Sequence, residues 1–301
     1  MQRILLRASN KFKNRKRQVI KEYRIPQTRY LTRDHSYFRK NTYPSFAKEL
    51  IEFKKLVENL VKKRESATFY KFGDGDYYFL AGEEVGSALP GKRALSKKYS
   101  EINLPAFRAG ALKNNYYTCE IADNNRQLFK LTFPGINPDF PAEFTYGLVA
   151  NRWLLKKFKG EIGLIGAEPK LRIIESLLDD FGYREYLGLD KFEDYIYVPQ
   201  KYACDNLQET CESVKGQLKK AKSKIFLVGV GHVKSGLLCE LPKFHQAVFL
   251  DVGSGIDALA GIVDPKRPYF QNWTNFAMRN SDLYDDVDYL QYDGENKRYI
   301  N

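Results

Sequence analysis

Short apolar segments that alternate with helical patterns constrain the fold of this chain more than any other feature. Four of them occupy residues 161–167 (EIGLIGA), 195–199, 225–230 and 248–252, and a helical pattern follows each one. Strands that alternate with helices in this way form right-handed βαβ units, and these build a mostly parallel sheet with helices on both faces. The sequence therefore predicts an α/β, Rossmann-like fold.

The alternation begins near residue 45 and stops after residue 265, which divides the 301 residues into three parts. We predict a basic N-terminal extension over residues 1–40, a single α/β catalytic domain over residues 41–264, and an aromatic and acidic C-terminal arm or lid over residues 265–301. No stretch approaches the roughly eighteen apolar residues of a membrane span, and the first residues lack the apolar run of a signal peptide. A cytoplasmic location is therefore expected.

The net charge of +12 is concentrated in residues 1–30, where ten lysines and arginines face the single acid Glu22. Such a segment is attracted to anionic surfaces over long distances. We therefore expect peripheral contact with an anionic membrane surface, with a solvated tail as the alternative. The segment holds few aromatic side chains for stacking on bases, so nucleic acid is not an expected partner.

The first candidate site directly follows the strand predicted for residues 67–72, where two aspartates alternate with two glycines. Carboxylates two residues apart can converge on one hard cation, and Mg²⁺ and Mn²⁺ favour oxygen ligands and often bridge to substrate phosphates. The pattern thus indicates Asp74 and Asp76 as metal ligands. An ordinary Gly–Asp turn is the alternative.

Two further glycine-rich segments follow predicted strands. Residues 249–258 (FLDVGSGIDA) have the strand–glycine–helix pattern of dinucleotide or methyltransferase motifs. Those motifs stand at the beginning of their domains, whereas no strand–helix alternation follows this segment. A loop that contacts phosphate or sugar therefore explains the segment better. In residues 228–232 (VGVGH), His232 stands at a strand end and could transfer a proton. Glu168, after residues 161–167, is a further candidate base or ligand.

Together these segments resemble the GT-D-type glycosyltransferases. Residues 72–76 (FGDGD) resemble the F-G-D-G-E-like motif of that family, and residues 227–231 (LVGVG) and 250–254 (LDVGS) resemble its later strand–glycine segments. The resemblance covers about residues 45–262 and implies a Rossmann-like sheet, a divalent metal and a nucleotide-sugar donor. Asp76 replaces the second acid of an Asp-x-Glu pair. Ser254 stands where the family often has histidine, so a role of that histidine does not carry over.

The sequence thus predicts a metal-dependent glycosyltransferase that moves a sugar from a nucleotide-diphosphate-sugar donor to a glycan, glycolipid or glycoprotein acceptor. Mn²⁺ or Mg²⁺ is the expected cofactor, and the candidate catalytic residues are Asp76, His232 and Glu168. Contacts to the donor are expected from Lys71, Phe72, Gly73, Gly75, Gly229, Gly231, Asp251, Gly253 and Ser254. Two alternatives remain: an S-adenosylmethionine-dependent methyltransferase that uses residues 251–255, and a non-catalytic protein that binds anionic surfaces.

Overall fold

A computed structural model describes residues 46–82, 101–120, 123–142, 144–145 and 152–262. The predicted extension (residues 1–40) and C-terminal arm (residues 265–301) lie outside these ranges, and the roles assigned to them stay predictions. The described strands are β1 (Ala67–Phe72), β2 (Tyr116–Cys119), β3 (Phe140–Pro141), β4 (Ile162–Ala167), β5 (Asp194–Val198), β6 (Ile225–Gly229) and β7 (Val248–Asp251).

These strands form one sheet in the order β3-β2-β1-β7-β6-β4-β5, and all pairings among them are parallel. The predicted α/β, Rossmann-like fold is confirmed. The helices whose full range is described are α1 (Phe46–Lys63), α2 (Asp74–Ala81), α3 (Leu104–Ala111), α4 (Asp123–Thr132), α5 (Trp153–Lys157), α6 (Glu168–Leu177), α7 (Phe181–Leu187), α8 (Leu207–Leu218), α9 (Lys234–Leu237), α10 (Leu241–Phe244) and α11 (Gly255–Leu259). Single 3₁₀ turns at Gly231–Val233 and Leu238–Glu240 flank α9. None of the described helices is long and apolar enough to cross a membrane.

A separate hydrophobic core covers each face of the sheet. Side chains of α1, α5, α6, α7 and α11 pack on one face, together with alternate strand residues such as Phe69 and Leu250. Side chains of α2, α3, α4, α8, α9 and α10 pack on the other face, with Tyr70 and Phe249. Because neighbouring residues of a strand point to opposite faces and both faces are covered, β1, β4, β6 and β7 are mostly apolar and do not alternate.

The helices that follow β1 and β7 leave the sheet towards opposite faces. Strand β1 leads into α2 on one face, whereas β7 leads into α11 on the other, although the two strands are hydrogen-bonded neighbours. Ligands of open α/β sheets bind in the crevice that such a divergence creates at the carboxyl ends of the strands. The loops after β1 and β7 therefore border a crevice.

Several predicted elements differ in extent from the observed ones. The sequence also predicts a helix over residues 94–112. In the described part it is observed only from Leu104, because Pro105 suits the first turn of a helix and not its interior. The three prolines of residues 134–141 predict a loop, but this segment ends in β3, which lies at the sheet edge, where proline is tolerated. Helices α4 and α7 were not predicted, because polar or glycine-containing stretches weaken their periodicity.

Candidate active site at the carboxyl ends of β1, β6 and β7

The Gly73–Asp76 turn opens α2 directly after β1. The Gly73 N–H donates to Asp76 Oδ2 at 2.8 Å, so that the aspartate side chain folds back on the start of its own helix. The Gly75 N–H donates to Asp74 Oδ1 at 2.8 Å. The Asp76 side chain is only 4% exposed, whereas Asp74 is partly exposed. The two carboxylates therefore have different surroundings, although they are two residues apart.

Lys234, at the start of α9, lies between two buried carboxylates. Its Nζ is 3.1 Å from Asp76 Oδ2 and 2.8 Å from Asp251 Oδ2, and it also donates to the backbone carbonyl of Lys71. The Tyr70 ring adds a cation–π contact, with its centroid 4.7 Å from Nζ. The Lys234 side chain is 8% exposed. A buried charge requires partners of this kind, and here one ammonium serves both aspartates.

Two hydroxyls extend this cluster on the same face of the sheet. The Tyr70 hydroxyl donates to Asp76 Oδ1 at 3.2 Å and lies 2.8 Å from Ser235 Oγ. Since a phenol has one proton, the Ser235 hydroxyl then donates to the Tyr70 oxygen. Burial, followed by the charge of Asp76, raises the pKa of Tyr70 well above its usual value. Tyr70 is therefore a permanent donor to Asp76.

Asp76 is held in its charged form. Burial would raise the pKa of this carboxyl, but the Lys234 ammonium, His232 and the Gly73 N–H all favour the charged state. The net pKa lies well below its usual range. Asp76 is consequently a fixed negative charge at neutral pH and not a proton donor.

His232 lies beside Asp76 at the mouth of this cluster. Its Nδ1 is 3.7 Å from Asp76 Oδ1, which is too long for a hydrogen bond. The imidazole ring stacks on Phe79 at 5.0 Å between centroids, and a Cβ at Gly75 would lie 3.0 Å from its Cε1. The side chain is 19% exposed. His232 is thus a partly open imidazole backed by a carboxylate.

Asp251 joins the ends of β1 and β7. Its Oδ2 accepts the Lys71 N–H at 3.1 Å, and its Oδ1 accepts the Gly253 N–H at 3.0 Å. Gly253 has a φ of +48°, a conformation that side-chain-bearing residues rarely adopt, and a Cβ there would lie 2.8 Å from Lys71 Cε. The Lys71 side chain therefore lies against the turn after β7. Both oxygens of the Asp251 carboxylate thus accept hydrogen bonds within the protein.

A small cavity of about 50 Å³ lies on the other side of β6. Its lining includes Gly229, Gly231 and Lys170, together with the ends of β4 and β5. The Lys170 Nζ lies 2.8 Å from Asp257 Oδ1, and both side chains are largely buried. This ion pair ties α6 to α11 beside the cavity.

The structure brings together most, but not all, of the predicted site residues. Asp76, His232, Lys71 and the glycines of both turns meet at the β1–β7 crevice. Glu168 does not join them: it is 55% exposed, and it pairs with Arg172 on the surface of α6. The Phe72 side chain is fully buried against Phe129 and Phe133, so only its backbone could contact a ligand. Ser254 precedes α11 in the turn after β7.

The predicted metal pair does not fit a divalent ion in this arrangement. Both oxygens of Asp76 already contact protein donors, and the Lys234 ammonium lies on the side of Oδ2. Within the described ranges, no three His, Cys, Asp or Glu side chains are grouped so that they could hold a metal ion. The arrangement therefore argues against the predicted metal binding through Asp74 and Asp76, and no step below is assigned to a metal.

Three residues of the cluster were not identified from the sequence: Tyr70, Lys234 and Ser235. A signal was present for Lys234, because this lysine interrupts an otherwise apolar and small-residue segment (residues 233–238, VKSGLL) just after a strand end. A lysine is almost never fully buried unless it is paired. Its carboxylate partners are 17 and 158 residues away, and sequence spacing could not indicate them.

No family model matches the chain, and no curated protein matches it. Two solved structures are similar to it. One is a selenomethionine-substituted structure of domain of unknown function 1792 (DUF1792), with a TM-score of 0.45 and 12% identity, over 83% of this chain and 92% of that one. The other is "A New Glycosyltransferase (DUF1792) from Streptococcus sanguinis", with a TM-score of 0.40 and 12% identity, over 82% and 95% of the two chains. At these values the likenesses carry no argument about function, which rests on the site.

Proposed function

We propose that this protein is a glycosyltransferase that transfers a sugar from a nucleotide-diphosphate-sugar donor to a hydroxyl of a glycan, glycolipid or glycoprotein acceptor. One observation carries the proposal: the Asp76–His232 pair and the Lys71 side chain lie together at the β1–β7 crevice, between two glycine-rich turns. A base for the acceptor and a cation for the leaving group are the two things that a single-displacement sugar transfer needs.

The imidazole of His232 is the proposed base. It takes the proton of the acceptor hydroxyl as that oxygen forms its bond to the anomeric carbon, and the bond from this carbon to the diphosphate breaks. Asp76, with its lowered pKa, stays charged behind Nδ1 and stabilises the imidazolium that forms. A positioned base of this kind contributes typically about 10²–10⁴-fold to rate.

Lys71 is the proposed contact for the leaving diphosphate. Its side chain lies beside Gly253, and its Nζ is 3.8 Å from the position of a Cβ at Gly73, so it borders both turns. A fixed cation at this place stabilises the negative charge that develops on the departing nucleoside diphosphate. The glycines let His232 and Lys71 lie directly against the backbone of the two turns, since a Cβ at Gly75 would lie 3.0 Å from His232 and one at Gly253 would lie 2.8 Å from Lys71.

The cofactor predicted from the sequence, Mn²⁺ or Mg²⁺, has no role in this proposal, because Asp76 is already paired with Lys234. Activity in excess EDTA compared with activity in Mn²⁺ tests this expectation directly.

The test of the proposed function is turnover of a panel of UDP- and GDP-sugars, measured as released nucleoside diphosphate. His232→Gln should lower kcat by about 10²–10⁴-fold. His245→Gln is the matched control, because this second imidazole lies before β7 at the opposite end of the sheet, where its Nε2 contacts the Ser223 carbonyl oxygen. Equal loss in both variants would point to a folding defect, and full activity of His232→Gln would remove the base assignment.

The methyltransferase alternative is less well supported by the geometry. In it, Asp251 would be available to a ligand, yet both of its oxygens accept hydrogen bonds from Lys71, Lys234 and Gly253. Stabilisation of the protein by S-adenosylhomocysteine, and by no nucleotide sugar, would favour that alternative. Absence of turnover and of any nucleotide binding would favour the non-catalytic protein.

A further inference from the structure

The position of Lys234 suggests how the site compensates its buried negative charge. Asp76 and Asp251 come from different strand ends and are 4% and 2% exposed, respectively, in their side chains. Two buried carboxylates at one place are strongly unfavourable without a cation between them. Lys234 Nζ contacts one oxygen of each, together with the carbonyl oxygen of Lys71.

We infer that Lys234 is the resident cation of this site, and that its ammonium occupies the position beside Asp76 that a divalent metal would need. Lys234 is thereby a positioning residue: it fixes Asp76, which in turn faces His232. The inference does not depend on the reaction that the site performs, and it differs from the metal role that the sequence assigns to Asp76.

The chemistry of the surrounding atoms supports a cation position. Lys234 Nζ is surrounded by two carboxylate oxygens and one carbonyl oxygen, and these are the hard ligands that Mg²⁺ and Mn²⁺ also prefer. The ammonium and a divalent ion would therefore compete for the same oxygens. Removal of the ammonium, with the oxygens left in place, should turn this position into a metal site.

The experiment measures Mn²⁺ binding by electron paramagnetic resonance, together with thermal unfolding in Mn²⁺ and in EDTA, on the full chain. In the wild type we expect no Mn²⁺ binding that depends on Asp76. In Lys234→Ala we expect stoichiometric Mn²⁺ binding and a higher Tm in Mn²⁺ than in EDTA. Both gains should vanish in the Lys234→Ala/Asp76→Asn double variant and should be absent from Lys234→Arg, which keeps the positive charge.

Two results would overturn the inference. One is stoichiometric Mn²⁺ binding by the wild type that is lost in Asp76→Asn. The other is a folded Lys234→Ala protein that binds no Mn²⁺, since its oxygens would then not form a cation position. If Lys234→Ala fails to fold, the wild-type and Asp76→Asn measurements still decide, because the inference requires that both bind Mn²⁺ equally weakly. These measurements use no sugar donor, so failure of the proposed function leaves them interpretable.

Discussion

The packing of α3 against the start of α9 allows a quantitative test of the structure behind the site. A Cβ added at Gly110, near the end of α3, would lie 2.5 Å from the Ser235 carbonyl oxygen and 2.9 Å from Gly236 Cα. Both atoms belong to the backbone and cannot rotate away. Gly110→Ala must therefore push α3 away from the turn that carries Lys234 and Ser235.

Two opposing effects determine the size of this change. An added methyl group in a tightly packed contact lowers the free energy of unfolding by about 1–3 kcal/mol. The upper part of this range applies here, because the methyl group would overlap backbone atoms. Alanine in place of glycine in a helix raises the free energy of unfolding by up to about 1 kcal/mol. We therefore expect Gly110→Ala to lower the free energy of unfolding by about 1–2 kcal/mol, and to lower kcat/KM because Lys234 moves relative to Asp76.

Gly216 provides the matched control, because it also lies near the end of a helix, α8, and a Cβ there would meet no atom within 4 Å. Gly216→Ala should raise the free energy of unfolding by up to about 1 kcal/mol. Urea unfolding followed by far-ultraviolet circular dichroism separates the two variants. A Gly110→Ala protein as stable as Gly216→Ala would refute the contact between α3 and the start of α9.

Three further predictions concern charge. The pKa of Asp76 is lower in the folded protein than in the unfolded chain, where a carboxyl has a pKa of about 3.9. Charged Asp76 therefore stabilises the fold at pH values above about 3.9, and this stabilisation is lost as the pH falls towards the pKa of Asp76 in the folded protein. The advantage of the wild type over Asp76→Asn in urea unfolding should therefore shrink between about pH 5 and pH 2. Asp257→Asn leaves Lys170 without its carboxylate and should cost on the order of 3 kcal/mol, with most of this recovered in Lys170→Met/Asp257→Leu. Deletion of residues 1–30 should weaken retention on anionic liposomes, as added salt should, while turnover of a soluble donor stays nearly unchanged.

Each of these predictions has an outcome that contradicts it. A constant difference between the wild type and Asp76→Asn over that pH range would mean that Asp76 is not held charged. Equal stability of Asp257→Asn and the wild type would mean that the Lys170 pair is solvated. A truncated protein that is insoluble, or that melts much lower, would show that residues 1–30 pack on the domain.

Local patterns in the sequence were sufficient for the fold class and for one part of the site. Strands β1, β4, β6 and β7 were predicted to within one residue at each end, because buried strands are mostly apolar runs, and β1, β6 and β7 end at or close to a glycine. The placement of Asp74 and Asp76 in a turn after β1 followed from the same pattern. The edge strand β3 was missed, because two residues carry too little signal.

Which residues meet at the site depends on the order of the strands in the sheet, and local sequence patterns do not predict that order. Sequence alone determined that loops after several parallel strands would face one edge of a sheet. Only the tertiary structure decided that β7 lies beside β1, which brings Asp251 and Lys234 to Asp76, and that Glu168, after β4, remains on the surface. The physical reason is that packing of both hydrophobic faces of the sheet, between segments far apart in sequence, determines which strands are neighbours. The partner that compensates the charge of Asp76 is likewise distant, because it is a lysine 158 residues further along the chain.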